Sequence, residues 1–350
     1  MKDKLLNIWN NVKSNKNTLN LLLITTMFAV FYILISSGVI RRYNATILVL
    51  VLVSIIMASS LNIATGFLGQ LVLGHAGFMA IGAYVAALTA IYLSNNFDFS
   101  GDGISNVLLF VVSAVVAMLF SAIAGLLVGG PALRLRGDYL GIMTLGFGEI
   151  VRVVITNLGP ITGGAQGLIG IPRIMSFPIA FWTTVLIVVF IYMFMNSRHG
   201  RAILSIREDE IASESVGTNI VKYKILGFVI ASGLGGVGGA IYAFQVGYLA
   251  PSAFGFIKSV DIFVIVVLGG MGSLSGGIIA AIVLTIMPEY LRVFSEYRLL
   301  IYSFLLLFMM RRRPQGLMGT SEFSAIGAIK KIRTFLDRKV DGIDGSTPSE

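Results

Sequence analysis

Side chains able to do chemistry are scarce in this sequence, and they are clustered. Two histidines and no cysteine among 350 residues leave no metal-ligand cluster and no nucleophile–base set to build an enzyme from. A phosphate loop of the form G-x-x-x-x-G-K-[ST] is absent and no lysine follows a glycine, so any ATP hydrolysis belongs to another chain. Two charged groupings remain. "SIREDEIASESVGTNIVKYK" (205–224) carries Glu208, Asp209, Glu210 and Glu214 in a chain with only 17 acids. "GFGEIVRVV" sets Glu149 and Arg152 three residues apart, on one face of a helix, where opposite charges neutralise each other. The chemistry on offer is charge recognition and charge compensation rather than bond making.

These groups must be held by membrane helices. A chain that is 56% hydrophobic and 12% charged, with apolar runs long enough to cross a hydrocarbon core of roughly 30 Å, does not fold as a soluble domain. The runs lie near 19–39, 45–64, 71–93, 105–129, 140–158, 177–196, 225–247 and 260–310, the last holding two or three crossings. The first follows Lys2, Lys4, Lys13 and Lys16; it is too long for a signal-peptide core and reads as a retained helix. The expected fold is an all-α, polytopic transmembrane helical bundle of about ten membrane elements, including Gly-broken helices. The net charge of +9 carries no expectation of a nucleic-acid partner, because in such a chain the position of each charge outweighs the sum.

Placing the N-terminus (1–18) in the cytoplasm and alternating the spans puts "GPALRLRGDY" and the 197–224 connection inside, and the acidic "SNNFDFSGDGIS" outside, as the positive-inside rule requires. The C-terminal "RRRPQG" is also inside if "LGGMGSLSGG" (268–277) reverses the chain. The membrane-spanning region is then 19–319. Beyond it, 320–350 alternates Ile326, Ile329, Ile332, Phe335 and Leu336 with Lys330, Lys331, Arg333, Arg338 and Lys339, a pattern for a cytoplasmic amphipathic helix on membrane lipid.

Within the spans, ionisable residues must face protein or water. Glu149 and Arg152 read either as a structural pair between helices or as part of a translocation path; Gln70 and His75 in "GQLVLGHAGF" are further path candidates, with His75 bonded to a neighbouring carbonyl as its structural reading. Asp261 reads as a helix cap. Gly235 and Gly239 make a small-x-x-x-small contact that serves either packing or sliding against another subunit. Thr162, Gly163 and Gly164 in "ITGGAQGLIGIP" mark an edge of the outer mouth. In the charged stretch, Ser205 and Glu208 fit a capping box, Gly217 fits a helix stop, and Ile206, Ala212 and Val216 form an apolar strip.

Six segments in order and register, "GFLGQLVLGHAGFMAIGAYVAAL", "LRLRGDYLGIMTLGFGEIVRVV", "TGGAQGL", "SIREDEIASESVGTNIVKYK", "VVLGGMGSLSGGIIAA" and "RRPQGLMG", make residues 45–319 resemble the LivM-type permease of bacterial branched-chain amino acid ABC importers. The resemblance implies that 205–224 is similar to a coupling helix, whose Glu-Ala-x-x-x-Gly core docks on an ATPase subunit. The matching residues here are Glu208, Asp209, Glu210, Ala212, Glu214 and Gly217, with serine at 213 and 215 where the family usually has alanine. It further implies a second, related permease subunit, two cytoplasmic ATP-binding subunits, an extracytoplasmic substrate-binding protein, no cofactor, and a place in the bacterial cytoplasmic membrane. The readable path is apolar and poor in fixed charge, which suits a small zwitterionic or neutral solute. Leucine, isoleucine and valine fit the resemblance; urea or short amides, and more remotely an ion-coupled secondary transporter or an integral membrane enzyme, are the alternatives.

Overall fold

The computed structural model describes residues 16–96, 103–132, 138–291, 297, 303–304, 307, 311–312 and 316–319. Residues 1–15 and the 320–350 tail, with the amphipathic helix expected there, lie outside the described residues. The chain divides into two units, Met1–Ile40 with Ser321–Glu350, and Arg41–Thr320. In the first, the described helix is α1 (Lys16–Ser36), where Phe28 and Tyr32 stack one turn apart.

The second unit is built of helices: α2 (Arg42–Asn62), α3 (His75–Asn96), α4 (Gly103–Ala132), α5 (Asp138–Asn157), α6 (Phe177–Asn196), α7 (Arg198–Glu208), α8 (Glu210–Ser215), α9 (Ile220–Val246), α10 (Phe256–Gly269) and α11 (Leu274–Tyr290). Helices are what apolar sequence must form in hydrocarbon, since each backbone polar group has to be satisfied within its own segment. Among the described residues seven stretches are long and apolar enough to cross a membrane: Arg42–Phe67, His75–Asn96, Gly103–Ala132, Tyr139–Asn157, Phe177–Asn196, Ile220–Val246 and Pro251–Gly269. Along α4 a stripe of Leu108, Val111, Val115, Leu119, Ile123 and Leu127 is exposed, the surface that hydrocarbon would cover.

At the centre of the bundle stands α9, and its glycines explain how. A Cβ at Gly239 would lie 2.1 Å from the Met79 carbonyl oxygen of α3, and one at Gly236 would lie 2.3 Å from Ser121 Oγ of α4. Gly238 faces Met57 of α2, and Gly82 of α3 presses on the Gly236 backbone. Small residues let helices approach closely where water provides no driving force between them. Gly235 and Gly239 therefore serve packing inside the chain, which leaves neither free to slide against another subunit.

The span expected at 71–93 begins later. Beyond Asn62, α2 continues as a π-helical turn (Ile63–Phe67), Leu68–Gly74 is non-helical, and α3 starts only at His75. Non-helical backbone at this depth is tolerated only where protein satisfies it. Here the Gln70 amide donates to the Ala64 carbonyl, the Leu73 amide to Thr144 Oγ1 at 3.1 Å, and the Ala76 amide to Ser259 Oγ at 3.2 Å. Gly74 has no room for a side chain, its Cβ position lying 1.8 Å from the Thr144 carbonyl oxygen of α5.

Candidate functional site

The charged stretch folds as two helices rather than one. Ser197 caps α7 by accepting from the Gly200 amide, and α7 runs on through Ser205 to Glu208. The expected Ser205–Glu208 capping box is therefore not formed: Ser205 Oγ donates to the Ala202 carbonyl and Glu208 pairs with Arg207 at 2.7 Å. The cap is Asp209, whose carboxylate accepts from the Ile211 and Ala212 amides at 2.8 and 3.0 Å, two donors against the single one a serine would hold. At its other end α8 closes with the Gly217 amide on the Glu214 carbonyl and the Thr218 amide on the Ser213 carbonyl. That paired pattern needs a left-handed residue, and Gly217 supplies φ +87°.

The faces of this elbow also differ from the expected strip. Ile206 is buried in the chain, whereas Ile211 and Val216 are each 80% exposed, flanked by exposed Ala212, Glu214 and Gly217. Glu210 turns inward to an ion pair with the buried Lys224 of α9. Glu210 thus fastens the elbow to the bundle. Glu208, Asp209 and Glu214 are the carboxylates that remain on its exposed surface.

Arg207 ties the elbow to a junction that sequence reasoning missed. Its Nη1 donates to the Gly66 carbonyl in the π-helical turn at 3.0 Å. Beside it, Asn62 Nδ2 donates to the Ser273 carbonyl and its Oδ1 accepts from the Gly272 amide. One asparagine thereby joins the end of α2 to the turn between α10 and α11. Residues 316–319 return to the same turn, with the Leu317 amide donating to the Leu268 carbonyl at 2.7 Å. A polar residue in an apolar run was the only signal for Asn62, Arg207 was one charge among many in 205–224, and their partners need the fold.

Of the path candidates, Gln70 and His75 flank Gly74, which packs on Gly148 beside Glu149. His75 is buried, with Nε2 2.8 Å from Ser60 Oγ; its partner is a hydroxyl, not the expected carbonyl. The Ser60 hydroxyl also lies 3.0 Å from the Met57 carbonyl oxygen. Gln70 is buried and its Oε1 has no partner among the described residues. Glu149 and Arg152 do pair, Nε to Oε2 at 2.7 Å, but within α5 rather than between helices. Glu149 Oε1 also accepts from the Phe256 amide at the start of α10. That carboxylate, not Asp261, meets the first turn: Asp261 sits well inside α10, whose N-cap is Gly255. A cleft of about 510 Å³ opens there, lined by Glu149, Arg152, Phe256, Lys258 and Asp261.

The proposed outer-mouth loop is firmly braced. Thr162 is buried and its hydroxyl donates to the Ile155 carbonyl at 2.6 Å, so Thr162 locks the loop from within. Gly163 and Gly164 take φ of +76° and +59°. Leu168 and Leu249 exchange backbone hydrogen bonds, and the Tyr248 hydroxyl donates to the Gln166 carbonyl, pinning the loop to the chain leaving α9.

Comparison with known proteins decides the family. The family model described as branched-chain amino acid transport system / permease component matches residues 43–310. The chain belongs to this permease family. The permease is 38% identical over 313 residues to the high-affinity branched-chain amino acid transport system permease protein LivM of Escherichia coli K12, covering 80% of this chain and 71% of that one. It is 25% identical to the probable LivM of Methanocaldococcus jannaschii over 79% and 93% of the two chains. A shorter match, 29% over 132 residues (37% of this chain and 42% of the other), is to the high-affinity branched-chain amino acid transport system permease protein LivH of Escherichia coli K12. No solved structure matches the permease.

Proposed function

We propose that this permease is a membrane subunit of an ATP-driven importer that carries leucine, isoleucine and valine across the bacterial cytoplasmic membrane by alternating access. The LivM likeness along 80% of the chain carries the reading. The related LivH match supports a second, non-identical permease as partner; two cytoplasmic ATPases and an extracytoplasmic binding protein complete the machine. In this reading the chain has about ten membrane elements with both termini cytoplasmic, to which the seven apolar stretches and the shorter helices α1 and α11 contribute. Cells lacking the chain lose ATP-dependent, high-affinity leucine uptake while urea uptake is unchanged; labelled leucine entering such cells at the normal rate would reject the substrate assignment.

The elbow of α7 and α8 is the ATPase-docking element in this reading, with Ile211, Ala212 and Val216 as its apolar contact and Glu208, Asp209 and Glu214 as its charge. Gly217→Val tests it. Nothing lies within 4 Å of a Cβ there, so the change acts through backbone strain alone, about 1–2 kcal/mol for a left-handed residue. The variant should reach the membrane in normal amount yet co-purify with less ATPase subunit, and Gly217→Asn, which tolerates the same φ, should restore docking. Equal ATPase recovery with valine would reduce the elbow to a connector.

A further inference from the structure

The cleft between α5 and α10 holds four ionisable side chains inside stretches apolar enough to cross a bilayer. Asp261 is exposed, and the side chains of Glu149 and Arg152 are 33% and 37% exposed. Hydrocarbon does not cover such a surface, because charged groups within a span face protein or water. The four are also unequally engaged. Glu149 is occupied by Arg152 Nε and the Phe256 amide. The two Nη groups of Arg152 make no hydrogen bond or ion pair among the described residues, and Lys258 and Asp261, three positions apart on α10, attract each other electrostatically without closing a hydrogen bond there. Two cations and one anion besides Glu149 therefore line a cavity of about 510 Å³, within the size range of small-molecule sites. Phe256 and Ile257, exposed at 50% and 76%, line the same cavity.

We propose that this cleft is a transit site for a free aliphatic α-amino acid. Arg152 and Lys258 take its carboxylate, Asp261 takes its ammonium, and Phe256 and Ile257 cover its side chain. Guanidinium and carboxylate match in geometry, and opposite charges lining one cleft recognise a zwitterion better than either ion alone. The proposal rests on the transport reading above and adds to it the residues that would read the head group.

The absence of native cysteine provides the test. Ala253 lines the cleft and is exposed, so Ala253→Cys in the complete reconstituted transporter reports occupancy through its rate of maleimide labelling. Leucine should slow labelling several-fold, whereas 3-methylbutylamine and 4-methylpentanoate, each half of the head group, should not. Adding Asp261→Asn or Lys258→Gln should remove the protection while the complex still assembles. Labelling indifferent to leucine overturns the site, and so does a cysteine that reacts in the isolated chain but is closed in the assembled complex, which would make the cleft a subunit contact. ATP-dependent leucine uptake by the same preparation keeps the two readings apart: uptake without protection rejects the site alone, and no uptake from the unsubstituted complex rejects the transport reading on which it rests.

Discussion

Gly239→Val should leave almost no folded permease in the membrane. The new Cβ would stand 2.1 Å from the Met79 carbonyl oxygen and 2.8 Å from the Ala83 amide nitrogen. Both are backbone atoms of α3, so no rotamer change relieves the clash. Overpacking of a core usually costs about 1–3 kcal/mol, and separating two buried helices that also meet at Gly82 and Gly236 belongs at or above the top of that range. Membrane abundance measured by quantitative blotting should fall close to background. Gly146→Ala is the control: nothing lies within 4 Å of a Cβ there, and exchanging glycine for alanine within α5 should stabilise the helix by about 0.5–1 kcal/mol. Normal abundance of Gly239→Val would mean that α3 and α9 are not held at the observed separation.

Arg207→Ala should separate ATP hydrolysis from uptake. Through its hydrogen bond to the Gly66 carbonyl, Arg207 links the elbow to the π-helical end of α2, whose Asn62 holds the turn between α10 and α11. A hydrogen bond from a charged group contributes about 1.5–3 kcal/mol. If that energy keeps the elbow and the helix ends moving together, its loss should lower leucine imported per ATP by about tenfold or more. The ATPases should remain bound, since Ile211 and Val216 are untouched. Arg207→Lys should recover only part, because an ammonium cannot reproduce the planar fork that now reaches the Gly66 carbonyl and Glu208. An unchanged ratio in proteoliposomes would make Arg207 a static brace.

The helices of the bundle were legible in the sequence because a crossing segment must be both long and apolar, and 177–196 was located to the residue. What misled was local competition. Ser205 and Glu208 have capping-box spacing, yet Ile203 and Ile206 bury one face of α7 and carry the helix past Ser205 to Asp209. The start of α3 was hidden because "LVL" before Gly74 is as apolar as a helix, and only Gly74 closing on the Thr144 carbonyl shows why the chain is extended there. Asp261 looked like a cap because it stands near the beginning of an apolar run, whereas Glu149, more than 100 positions earlier, reaches the Phe256 amide. Contacts between residues so far apart carry no periodicity, so the cleft, the Asn62 junction and the Glu210–Lys224 pair had to await the fold.

At one end of α9, Lys224 grips Glu210 of the elbow; just past the other, Tyr248 and Leu249 grip Gln166 and Leu168. Between those attachments runs one unbroken helix of 27 residues, about 40 Å long at 1.5 Å per residue. It is a lever arm with a load fixed to each tip. A tilt of about 10° about one tip would carry the other through about 7 Å, by simple geometry on that length, without any helix bending or unwinding.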